Sequence, residues 1–161
     1  MKGLKTDRDK MLLVAIGNSG RGDDGLGWKF ADLAQESGTG VFDVAYRYQL
    51  QVEDAELISH YDIVIFADAS QEDLENGFGI KSIKASGHFF YTSHVQSPQA
   101  VLFLAETLFG KSPSSYLLGI TGYEWELKTS ISEKASANLQ SALVCFNREY
   151  LKIQTGHRTS I

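Results

Sequence analysis

Two aspartates and one histidine in this chain have the types and local settings needed to share a metal ion. Asp24 lies in Gly17-Asn18-Ser19-Gly20-Arg21-Gly22-Asp23-Asp24-Gly25, directly after the apolar run Met11 to Ile16. Asp68 closes a second apolar run, Ile63-Val64-Ile65-Phe66-Ala67. His94 follows Tyr91-Thr92-Ser93, just ahead of Ser97-Pro98. Two carboxylates and an imidazole suit a first-row transition cation. In an open α/β sheet, ligands collect at the carboxyl ends of the strands, which is where these settings place the three side chains. Each residue also has a plainer reading. Acids at a helix N-terminus favour the dipole, Asp68 can serve as an N-cap or turn acid, and a lone histidine is often structural. Asp68 resists the plain reading most, because an acid at the end of so apolar a run needs a partner once desolvated.

The elements that must position these residues alternate between short β-rich runs and helical stripes, the α/β pattern. Met11 to Ile16 reads as a central strand covered on both faces. After the glycine-rich turn, Leu26, Phe30 and Leu33 recur at helical spacing to about Ser37. Val41 to Tyr46 reads as a strand, Val52 to His60 as a short helix with Ala55, Leu57 and Ile58 inward, and Tyr61 to Ala67 as another strand. Gly77 to Lys84 alternates like an antiparallel edge strand. Ser97 caps a helix with Pro98 at its first position, and Val101, Leu104, Ala105 and Leu108 share its inner face up to Gly110. Tyr116 to Ile120 is a final strand. The last helix opens on Ser130-Ile131-Ser132-Glu133, which fits a capping box, and buries Leu139, Ala142, Leu143, Phe146 and Tyr150. The expected fold is one α/β domain over residues 1–161, a twisted, largely parallel sheet of about five strands sandwiched between helices. Residues 1–9 and 154–161 are expected to be mobile tails.

At 161 residues with 43% hydrophobic and 22% charged residues, the chain can bury a real core and is neither disordered nor fibrous in composition. A formal charge of −5 argues against nucleic acid as a partner. No apolar run reaches the length of a membrane span, and Met1 to Lys10 lacks the apolar core of a signal peptide. A cytoplasmic monomer is the expectation. Cys145 is the only cysteine, so neither an intrachain disulfide nor a thiolate zinc cluster is available.

Other chemistries fit less well. The turn has Gly17-x-x-Gly20-x-Gly22 rather than the dinucleotide fingerprint, and Asp23 and Asp24 would oppose a pyrophosphate by like charge. Asp43, which mimics a ribose-binding acid, is then an ordinary loop or strand-end residue. Cys145 sits mid-helix without a base nearby in sequence, as buried structural cysteines do. No G-x-S-x-G elbow and no H-E-x-x-H occurs. His60 lies near a helix C-terminus, His157 in the tail, and His88 between Gly87 and two phenylalanines. Tyr46, Arg47 and Tyr48 are either a docking patch, given the prominence of aromatic and Arg residues in hot spots, or a loop packed on its own core.

Taken in order, Leu13-Val14-Ala15-Ile16-Gly17-Asn18 with Arg21-Gly22-Asp23-Asp24-Gly25-Leu26-Gly27, then Val64-Ile65-Phe66-Ala67-Asp68-Ala69, then Thr92-Ser93-His94 resemble the hydrogenase maturation endopeptidases. These enzymes trim the C-terminal extension from the large subunit of nickel–iron hydrogenases. The resemblance covers roughly Leu12 to Leu143. Carried over residue by residue, the family's metal-contacting positions fall on Asp24, Asp68 and His94. Many members have Glu at the first of these and glycine where Ala15 stands. Tyr46 to Leu50 departs from the Gly-Gly-Thr or Gly-Thr loop of many members. Gln49 to Glu53 and His94 to Gln99 look like the branch serving bidirectional, NAD(P)-linked hydrogenases.

The resemblance implies an aspartyl-type endopeptidase that meets nickel already held by its substrate, the large-subunit precursor, and needs no organic cofactor. Asp24, Asp68 and His94 would complete the coordination of that ion, and Asp24 or Asp68, or a water on the nickel, would promote hydrolysis of the nearby peptide bond. A non-cleaving nickel-docking factor and a self-sufficient zinc amidase are the alternatives.

Overall fold

The computed structural model describes residues 9–38, 40–87 and 97–154, the last five without their side chains. Five strands form one sheet in the order β2-β1-β3-β5-β4: β1 (Met11–Ile16), β2 (Asp43–Arg47), β3 (Ile63–Ser70), β4 (Phe78–Ile83) and β5 (Ser114–Thr121). The pairs β1–β2, β1–β3 and β3–β5 are parallel, and β4 runs antiparallel along the outer side of β5. The four helices are α1 (Leu26–Glu36), α2 (Asp54–Ser59), α3 (Pro98–Phe109) and α4 (Glu133–Gln154). The expected single α/β domain with an antiparallel edge strand is what forms.

Side-chain alternation divides the core into two layers. Leu13, Ala15, Ile63, Ile65 and Ala67 pack with Leu26 and Phe30 of α1 and with Leu139, Ala142 and Phe146 of α4. Leu12, Val14, Val64 and Phe66 point to the other face, against Ala55 and Ile58 of α2 and Val101, Leu102 and Ala105 of α3. β1 and β3 therefore bury both faces, which is why they read as unbroken apolar runs.

Several local readings shift. The capping box predicted at Ser130 is replaced by Ser132, whose hydroxyl accepts from the Ala135 N–H at 3.3 Å one residue before α4 begins. Its own amide is held elsewhere, as described below. In α3, Ser97 caps as predicted, accepting from Ala100 N, and Gly110 ends the helix with a φ of 64°. Leu108, assigned to the inner face, is 61% exposed in the last turn, and Leu102 is buried instead. The α2 helix begins at Asp54 rather than Val52 because the Asp54 carboxylate accepts from the Gln51 N–H, fixing the turn ahead of it. Asp43 opens β2 instead of closing it and accepts from the Tyr61 hydroxyl, at the amino end of a parallel strand and away from any ligand at the carboxyl ends. No helix among the described residues is long and apolar enough to cross a membrane.

Candidate active site

The glycine-rich turn leads from the carboxyl end of β1 into α1, whose first turn lies against the carboxyl end of β3. Gly17 leaves β1 with a φ of +148°, and a Cβ there would stand 2.1 Å from the Asp24 carbonyl oxygen. That close approach, reinforced by Asn18 N donating to the Asp24 carbonyl at 3.0 Å, folds the turn back over the strand end. Gly22 to Gly25 make one 3-10 turn, and α1 follows directly. The first turn of α1 then settles on the sheet: a Cβ at Gly27 would lie 2.4 Å from the Ile16 carbonyl oxygen and 2.5 Å from that of Ala67. Only glycine permits this contact with both strand ends, and it sets Asp24 close enough to Asp68 for the two charges to interact.

Asp68 does not close its strand. β3 continues to Ser70 because β5 pairs with it through Thr121, and Gly122 N donates to Ser70 O at 2.9 Å. Asp68 shares the face of Val64 and Phe66, yet its cross-strand neighbour is Gly119 and the next residue across is Gly79. Two glycines beside an acid leave an open trough where side chains would otherwise pack. The result is a cleft of about 210 Å3 lined by Asp68, Ser70, Leu74, Gly79, Leu117 and Gly119. Its rim is fixed by Thr121, whose hydroxyl donates to Glu72 O at 2.7 Å and accepts from Leu74 N at 3.1 Å.

The electrostatics separate the three acids of this end of the sheet. Burial pushes the Asp68 carboxyl up to about 7, the neighbouring Asp24 charge adds to the rise, and the Ala69 backbone N–H offsets only part of it. Burial also raises Asp24 above the ordinary value, against the pull of the Arg21 guanidinium and the Asn18 backbone N–H. Two like charges in a partly desolvated site favour either a shared proton or a cation. Asp23 is fully buried and shifts the other way. Its desolvation is outweighed by hydrogen bonds from Tyr123 N, Ser132 N, the Ser132 hydroxyl and Glu124 N, at 2.7, 2.7, 2.7 and 3.0 Å.

Of the three residues singled out in the sequence, the fold thus brings Asp24 and Asp68 together. His94 lies outside the described residues, as do His88 and His157. Among the described residues, no group of three His, Cys, Asp or Glu side chains is gathered to hold a metal ion. Cys145, read as a buried structural cysteine, is half-buried and lines an apolar groove of about 560 Å3 between β4 and α4, on the sheet face opposite Asp68. The docking patch resolves unevenly. The Arg47 guanidinium pairs with Asp54 at 2.8 Å, and the Tyr46 hydroxyl donates to Asp32 at 2.6 Å. Tyr48 stays 69% exposed, stacked at 5.1 Å on Trp28, whose indole N–H donates to Arg47 O.

Sequence reading did not assign a role to the glycines around the two acids or to the donors that hold Asp23. Gly27 carried a usable signal, a second glycine two residues after Gly25 at a helix start. Gly119 and Gly79 become meaningful only once the register places them beside Asp68. The donors that hold Asp23 are about a hundred residues away, and no local pattern announces them.

No protein-family model matches the chain, and no curated protein matches it in sequence. Solved structures do match. The nickel–iron hydrogenase maturation protease HycI from Thermococcus kodakarensis KOD1 superposes with a TM-score of 0.66 at 20% identity, covering 89% of this chain and 93% of its own. HybD from Thermococcus kodakarensis, also a nickel–iron hydrogenase maturation protease, gives 0.61 at 21% identity, over 86% and 97%. The hydrogenase maturating endopeptidase HybD from E. coli gives 0.63 at 17% identity, over 89% and 93%. The resemblance read in the sequence is therefore matched by architecture over most of the chain, and this protein has the fold of the hydrogenase maturation endopeptidases.

Proposed function

We propose that this chain is an endopeptidase that removes the C-terminal extension from the nickel-loaded precursor of a nickel–iron hydrogenase large subunit, reading substrate-bound nickel as its signal. The observation that carries the proposal is the pairing of Asp24 with Asp68. Two partly desolvated carboxylates repel each other, one of them held to about 7, and an incoming cation relieves that repulsion. Two carboxylates, even joined by the imidazole of His94, form a hard and borderline donor set without thiolate. Such a set suits completing the shell of an ion that the substrate already holds.

The proposed order of events draws on the Asp24–Asp68 pair for two contacts and on the sequence resemblance for the third. The precursor brings the ion to the carboxyl ends of β1 and β3, where Asp24 and Asp68 take it up and His94 supplies the third contact. The substrate-held ion would supply polarisation of the scissile carbonyl or of a water. One of the two carboxylates would take a proton from the water as its oxygen adds to the carbonyl carbon, and would return that proton to the leaving amine as the C–N bond breaks. Asp68, bordered by Gly119 and Gly79, faces the open trough through which an extended chain can reach the site. The enzyme acts as a cytoplasmic monomer and takes no organic cofactor. Residues 49–53 and 94–99 favour the branch serving bidirectional hydrogenases.

The test is the mass of the precursor before and after incubation with the purified chain. Loss of a C-terminal peptide from nickel-loaded precursor is expected. An intact precursor that binds the chain would favour a docking factor. Tight zinc retained by the isolated protein, with cleavage indifferent to nickel, would favour a zinc amidase.

A further inference from the structure

Asp23 stands next to Asp24 in sequence but belongs to a different part of the fold. Its carboxylate binds the segment that joins β5 to α4, receiving the amides of Tyr123 and Glu124, the amide of Ser132 and the Ser132 hydroxyl. Around it the two segments are laced by backbone bonds: Asp23 N to Glu124 O and Gly22 N to Lys128 O, both 2.8 Å, and Lys128 N to Gly20 O at 3.1 Å. The fit is tight enough that a Cβ on Gly122 would stand 2.7 Å from the Asp23 Cβ, and one on Gly22 would stand 2.6 Å from Glu124 O. On the other side, Asn18 N donates to Asp24 O within the turn, Gly17 N donates to Arg47 O at the end of β2, and the Asp24 carbonyl passes closely over Gly17, directly after β1. The backbone of Asp24 is thus held between β1 and the β5–α4 segment, and the Asp23 carboxylate supplies four of the bonds on the second side.

From this geometry we infer that Asp23 is the positioning residue of the site, coupling the β5–α4 segment and the cap of α4 to the placement of Asp24. The inference rests on the proposed function for what Asp24 does, and on the hydrogen bonds alone for what Asp23 does. A carboxylate is required because four donors converge on two oxygens. Asparagine offers one acceptor oxygen and turns an NH2 group toward donors. Loss of an outer partner of this kind lowers activity by about 10- to 100-fold without removing a ligand.

The experiment uses the full chain with Asp23→Asn and Ser132→Ala, the second removing the hydroxyl donor while leaving three amide donors. Amide hydrogen exchange and cleavage kinetics on nickel-loaded precursor are measured at a temperature where both variants are fully folded. Positioning predicts faster exchange at Asn18, Gly22 and Asp24 and a kcat about 10- to 100-fold lower for Asp23→Asn, with a smaller change of the same kind for Ser132→Ala. A purely structural role predicts lower Tm with wild-type kcat and wild-type exchange at Asn18 and Asp24, and that result would overturn the inference. If Asp23→Asn does not fold, Ser132→Ala decides by the same two readouts. If the wild type leaves the precursor uncut, the proposed function fails, and the exchange pattern still confirms or rejects the coupling.

Discussion

Asp23 and Asp68 occupy the same end of the sheet, and the fold treats them in opposite ways. Asp23 is completely buried but receives four donors, and its carboxyl is held below the ordinary range. Asp68 is less deeply placed, receives one backbone N–H, and faces the like charge of Asp24, so its carboxyl rises to about 7. Burial alone therefore does not identify a working acid. A buried carboxylate with its donors in place is fastening one segment to another, whereas one left short of donors beside a second acid is waiting for a cation or a proton.

The two acids part most sharply when Asp68 is changed. Asp68→Asn removes the charge and keeps the size, so processing of nickel-loaded precursor should be lost in a gel-shift cleavage assay while the protein stays folded. Stability should rise with a definite pH dependence. The folded carboxyl titrates near 7 and the unfolded one near 3.8, so between these values the folded state holds the extra proton. Wild-type stability then falls as pH rises from about 4 to 7. Denaturant unfolding should show the variant equal to wild type at about pH 4 and more stable by about 2 kcal/mol above pH 7, a discount on the fully desolvated conversion for a side chain that keeps solvent contact. A variant that is less stable at pH 8 would make Asp68 a structural acid like Asp23.

The next largest effect is expected at Gly27. Gly27→Ala places a methyl within 2.4–2.5 Å of two strand-end carbonyls, and neither backbone can yield freely. The start of α1 must lift, at a cost of about 3 kcal/mol, and Asp24 should move from Asp68. Thermal unfolding and cleavage should both suffer. Wild-type cleavage by Gly27→Ala would show that the seating of α1 does not set the site.

The smallest effect separates Arg47 from Tyr48. Arg47→Ala leaves the buried Asp54 carboxylate without its cation and should lower stability with precursor affinity unchanged for the folded protein. Tyr48→Ala removes an exposed ring and should leave stability alone while weakening precursor binding by a few-fold, about 1 kcal/mol. Titration of precursor against both variants checks this, and unchanged affinity for Tyr48→Ala would retire the docking patch.

Much of this was legible in the sequence, and the limits have physical causes. The two-sided apolar runs Met11–Ile16 and Ile63–Ala67 announce themselves because both faces are buried, and Asp24 and Asp68 are visible as acids that follow them. Ser97-Pro98 and Gly110 mark α3 correctly because capping is local. What stayed hidden depends on distant partners. The extension of β3 past Asp68 is imposed by β5, the cap of α4 is drawn to Ser132, whose amide and hydroxyl both bind Asp23, and the open cleft exists because Gly119 and Gly79 happen to fall in register with Asp68. Asp23 and Asp24 are indistinguishable as neighbours in a sequence, and only the donors from residues 123, 124 and 132 tell them apart.

In the proposed function, the Asp24–Asp68 pair reads a nickel ion brought by the substrate. The direct measurement is cleavage of nickel-loaded and nickel-free precursor by the same enzyme preparation, side by side, followed by mass. Complete processing of the loaded precursor is expected, with none of the nickel-free precursor even with excess enzyme and no rescue by added zinc. Efficient cutting of the nickel-free precursor would contradict it.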